Sequence, residues 1–160
     1  MSLKDRLKEV QESHREDVDW EQRKDEWVNN VNRLYHEVKE WLDGLKNEDL
    51  MSFDTHSVVR SEPMIGDYQI PQLILALPKE PSIEIVFDPI GRNVVGALGR
   101  VDVYPRGLYG QKYMLILVDR ANAGTVWELW KSKYARDRRP FDKQALEEII
   151  EEWLNEITHG

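Results

Sequence analysis

An α+β fold is what these 160 residues predict: an N-terminal long helix, an about six-stranded antiparallel β-meander and a C-terminal amphipathic helix. Three observations lead there. Apolar residues recur at spacings of three and four up to Asn47 and again after Asp142, the period of a helix. Between those limits they fall into short runs with strand-like alternation. The runs are separated by short links rich in Gly, Pro, Asn and Asp, and such links cannot carry the long crossovers that parallel strands need.

Residues 1–19 are polar, with Leu3, Leu7 and Val10 as the only apolar side chains before Val18. Their spacing permits a helix, but so thin a stripe does not hold one in isolation. The segment reads as a polar arm, frayed or ordered by a partner, ahead of a single domain over residues 20–160. From Trp20 the stripe strengthens: Trp27, Val31, Leu34, Val38, Trp41 and Leu45, widened by Val28, Tyr35 and Leu42. Asp19 and Gln22 suit the start of this helix, and Gly44 a left-handed stop. The arc is wider than a two-per-heptad seam, which favours packing on a sheet over a coiled coil.

Strands are expected at 51–57, 68–77, 82–90, 94–104, 111–119 and 125–132. Pro71 cannot donate to a ladder, so it must sit at an edge or a bulge. Gly96 and Gly99 mark a bend or the close approach of another segment. The last helix opens on Asp142 as N-cap, carries Leu146, Ile149, Ile150, Trp153, Leu154 and Ile157 on one face, and turns Glu147, Glu148, Glu151, Glu152 and Glu156 to solvent.

Composition narrows the function. With no cysteine, the chain has no disulfide framework, thiolate metal site or thiol nucleophile, and the expected compartment is the cytoplasm. No apolar run is long enough to span a bilayer, and the first residues do not read as a secretory signal, so no membrane is expected. A net charge of -8 repels polyanions and argues against nucleic acid.

The stretches Arg33–Leu42 and Asp88–Asp102, the second containing Gly96-Ala-Leu-Gly-Arg-Val-Asp102, resemble a family of bacterial proteins of unknown activity. Those proteins share a helix, a β-meander and a glycine-punctuated "GAxGRVD" strand. The resemblance covers about residues 27–119 and weakens after Asp119. It implies the fold and a bacterial setting; it implies no activity and assigns no site residue.

Candidate chemistry is sparse. His14, His36, His56 and His159 are dispersed, so no cofactor or metal is expected from them. The glycines of 91–110 lie in or between strands, which is turn chemistry and not a phosphate loop. A metal-dependent hydrolase or nuclease would need carboxylates such as Asp88, Asp102, Asp119 and Glu128 with Lys131. Glu128 and Lys131, however, fall on opposite faces of one strand. Arg100 and Asp102 share a face, as a surface ion pair in preference to a buried anchor. Lys131, Lys133, Arg136, Arg138 and Arg139 form a basic segment. It is either an anion contact or a solvated connector that offsets the following glutamates.

Two-sided apolarity marks the middle of the sheet. Leu73–Leu77 and the 111–119 strand are apolar on both faces, whereas a half-exposed strand alternates. With both helices on one face, Ile74, Met114, Ile116 and Val118 become candidate interface residues on the other, closed by a homodimer or a foreign protein. No catalytic, cofactor or metal site is assigned. The expected function is therefore a non-catalytic protein-interaction module of chaperone, immunity or accessory-subunit type, with a metal-dependent hydrolase or nuclease as the alternative.

Overall fold

The computed structural model describes residues 2–63, 65–79, 82–92, 97–120, 122, 124–132, 134 and 137–159, the side chains of 13–19 and 159 excepted. Helix α1 spans Leu3–Trp41. Its N-terminus is closed by a capping box: Ser2 Oγ accepts from the Asp5 N–H while the Asp5 carboxylate accepts from the Ser2 N–H. The helix therefore runs unbroken through Asp19, where the spacing places its start, and residues 3–19 are its first turns.

Gly44 does not stop it. After Leu42 the chain turns on through a short helix, α2 (Asp43–Asn47). The left-handed residue is Asp49, with φ 58°. The Asp49 and Leu50 N–H groups close back on the Lys46 and Leu45 carbonyls, the paired bonds of a Schellman ending. An aspartate tolerates this backbone better than most residues, so a glycine was not required.

The strands are β1 (Ser52–Glu62), β2 (Gly66–Leu77), β3 (Ile83–Gly91), β4 (Gly99–Pro105), β5 (Tyr113–Arg120), β6 (Gly124–Trp130) and β7 (Arg138–Pro140). They form one antiparallel meander in sequence order, seven strands among the described residues. The strand missing from the expectation is β7, three residues long inside the basic segment, too short and too polar to carry a period. Helix α3 (Lys143–His159) follows, its Ala145 N–H donating to the Asp142 carboxylate as the N-cap reading requires.

Pro71 is accommodated as its chemistry demands. It pairs with Ser57 of β1, while pairing of β2 with β3 ends at Leu73, so no ladder is short of a donor. Its carbonyl accepts the Tyr35 hydroxyl at 2.7 Å, tying α1 to the point where the β1–β2 hairpin leaves β3.

Both helices cover the same face of the sheet. Trp27, Val31, Leu34, Tyr35, Val38 and Leu42 of α1 join Ala145, Leu146, Ile149, Ile150 and Trp153 of α3 in one buried cluster. Opposite them lie rows such as Leu73, Phe87, Val103 and Tyr113, set side by side by the strand register. The Trp27 indole N–H donates to the Tyr68 hydroxyl and that of Trp153 to the Gln111 carbonyl, so two large core rings keep their polar edges paired. No described helix is long and apolar enough to cross a membrane.

Candidate functional site

On the outer sheet face, away from the helices, the register sets Asp88 of β3 directly opposite Asp102 of β4. Like charges across an antiparallel pair repel, and two arginines answer them. Arg60 of β1 and Gln72 of β2 donate to Asp88, and Tyr104 lies 3.4 Å from its second oxygen. Asp102 receives Arg100 Nε at 2.7 Å, Arg100 Nη2 at 3.0 Å and the Tyr109 hydroxyl at 2.6 Å. Tyr109 is brought there by a 3₁₀ turn, Tyr109–Gln111, that folds over the face and stacks edge-on against Tyr104.

Asp102 is fully buried, the one buried charged side chain among the described residues. The Arg100–Asp102 contact is thus an interior anchor and not the surface pair that spacing favoured. Hydrogen bonding to Asp102 holds the Arg100 guanidinium above its ordinary value and pushes the Tyr109 phenol up to about 12. Each carboxylate thus accepts from a guanidinium and has a phenol in reach. No group of three or more metal-ligating side chains occurs among the described residues.

The other carboxylates do not join the pair. Asp119 is exposed at the end of β5. Burial opposes ionisation of Glu128, but Arg120 and the Trp130 N–H together hold its carboxyl below the usual range. Lys131 turns to the helix side, 3.9 Å from Glu152 and over the Tyr113 ring, opposite to Glu128 as strand alternation requires. His36 and His56 are exposed and face Glu40 and Asp54; the His14 and His159 side chains lie outside the described residues.

In the basic segment, Arg139 meets Glu148 of α3 and Arg138 lies over the Trp130 ring, 3.6 Å from its centroid. Two of the five cations, Lys131 and Arg139, thus pair with glutamates of α3. Lys133 and Arg136 fall outside the described residues, as does Gly96.

The candidate interface residues share the outer face, but Ile74, Ile116 and Val118 are only 3%, 1% and 8% exposed. Ile116 sits between Arg100 and Glu128 in register, and Met114, which is part-exposed, between Asp102 and Trp130.

Apolar surface without a cover lies elsewhere, at the end where α1, α2 and α3 meet. A groove of about 590 Å³ opens there. Trp41, Leu45 and Leu50 line one side, Ile150 and Leu154 the other, and Leu77 helps to close its base. Leu45 and Leu50 are 37% and 42% exposed. Glu48, Glu147 and Glu151 surround the groove with Lys143, which is itself 3.9 Å from Glu147. The Schellman ending places Leu45 and Leu50 together. Leu45 belongs to the apolar stripe predicted for the helix and Leu50 lies outside it; an apolar residue on each side of a helix stop is the local signal that links the two.

A second concavity of about 500 Å³ beside β6 is lined by Trp127, Phe141 and Pro140, but the Arg120–Glu128 ion pair also lies in its wall. The comparisons add no relative: no family model, curated protein or solved structure matches the chain.

Proposed function

We propose that this protein is a non-catalytic interaction module that docks an amphipathic segment in the groove between α1–α2 and α3. The observation that carries the reading is that groove: an apolar floor with half-exposed leucines, inside a rim whose acidic groups outnumber its single cation. Its chemistry suits a helix with leucine-like residues at spacings of three and four and basic residues on the flanks. The carboxylates of the outer face support the same reading, because each is already engaged by donors of its own sheet.

A photo-reactive amino acid at Leu45 or Leu50, in cells that make the protein, tests it. Discrete protein adducts are expected from these positions, and they should fade when Glu147 and Glu151 are both changed to lysine. Absence of adducts from both positions, or an equal yield from exposed Val59 on edge strand β1, would refute the groove as a docking site.

A further inference from the structure

Resting on the groove reading, a second feature identifies an occupant. Helix α1 is 39 residues long, about 58 Å, and the first buried side chain among its described residues is Trp27. At its far end Leu3, Leu7 and Val10 are 74%, 53% and 59% exposed, successive members of one helical stripe with no sheet beneath them. The capping box nonetheless closes this overhang as a helix. Lys4 and Arg6 flank the stripe, Lys8, Glu9 and Glu12 fall toward the opposite side of the helix with Asp5, and Asp5 is engaged by the cap. The overhang is therefore apolar on one side with a basic excess on its flanks, and the groove is apolar with an acidic excess on its rim.

A chain cannot join its own two surfaces. Leu7 and Trp41 are separated by about 50 Å of continuous helix. We infer that the protein forms a two-fold dimer in which the Leu3–Leu7–Val10 stripe of each copy occupies the α1–α2/α3 groove of the other. Reciprocity follows from the two-fold axis and doubles the contact, which one arm with three apolar side chains would leave below the size of a specific interface. The same contact gives the exposed stripe a buried environment, which the arm lacks within its own chain.

Because the chain contains no cysteine, paired substitutions test the contact in the full-length protein. Leu7→Cys with Leu45→Cys, oxidised at dilute concentration, should give a covalent dimer carrying two disulfides and no free thiol. Neither single variant should cross-link. Light scattering on the wild type should show twice 18.9 kDa, and Leu3→Glu with Leu7→Glu should raise the dimer dissociation constant by about a hundredfold or more. The far-ultraviolet circular dichroism should not change, since both leucines are exposed.

Ready cross-linking of Leu7→Cys alone would show that the arms pair with each other, and would overturn the inference. So would a constant 18.9 kDa across a hundredfold concentration range. In either case photo-adducts to a foreign protein at Leu45 would leave the groove standing as a docking site. Loss of those adducts as well would remove both conclusions.

Discussion

Gly99 is the position where one methyl group has the most to displace. A Cβ built there would lie 2.3, 2.7 and 2.8 Å from three carbons of the Trp27 six-membered ring. Carbon–carbon contacts are comfortable at about 3.5–4.0 Å, so the ring must withdraw by more than about 1 Å. It has little room: Trp27 is 2% exposed, its ring packs 6.1 Å from that of Trp127, and its N–H reaches the Tyr68 hydroxyl at 3.2 Å. Overpacking costs about 1–3 kcal/mol, and leaving a buried N–H unpaired about 1–3 kcal/mol more. The narrower unfolded ensemble of alanine returns about 0.4–1 kcal/mol.

Gly99→Ala should therefore destabilise by about 2–4 kcal/mol, seen in urea melts followed by circular dichroism, with a thermal midpoint lower by about 5–12 °C. In a Trp27→Leu background the same change should cost almost nothing, giving a coupling of about 2–4 kcal/mol. A wild-type midpoint for Gly99→Ala would refute the close-approach argument. So would an equal cost in both backgrounds, since the indole could not then be the obstacle.

Three further expectations follow from the outer face. Arg100→Ala leaves the buried Asp102 carboxylate with Tyr109 as its remaining side-chain donor among the described residues and should cost about 3–5 kcal/mol, while Arg100→Leu with Asp102→Leu should cost less; a double variant weaker than the single would contradict the anchor. Stability should fall as pH rises from 10 toward 12. The folded chain holds the Tyr109 proton up to about 12 and an ordinary phenol releases it near 10, so that contribution is complete below pH 10 and lost above it. Tyr35, Tyr68, Tyr104 and Tyr113, whose phenols burial raises first of all, act in the same direction. Urea midpoints at pH 9, 10 and 11 should show a shallower decline for Tyr109→Phe, and an undiminished slope would count against the link. Finally, the thermal midpoint should be the same in chelator and in excess Mg²⁺, Mn²⁺ or Zn²⁺; a saturable rise with one ion would reopen metal-dependent hydrolysis.

What the linear chain determined is the set of elements, because their signals are local. Helical spacing around Trp27–Leu42 and Leu146–Trp153, turn residues between short runs, the Asp142 cap and the opposed faces of Trp127 and Trp130 each depend on neighbours a few residues away. The two-sided apolar strands also showed that the sheet interior is buried twice. Tertiary structure decided what covers each side. Both helices lie on one face, and on the other face Ile116 is buried between its register neighbours Arg100 and Glu128. It also decided that Asp88 meets Asp102, since a hairpin register joins residues 14 apart whose charges say nothing about one another in sequence. The groove belongs wholly to this second kind. It exists because the chain turns at Asp49 and α3 returns alongside Trp41, and no periodicity within either helix records a surface that the two make only together.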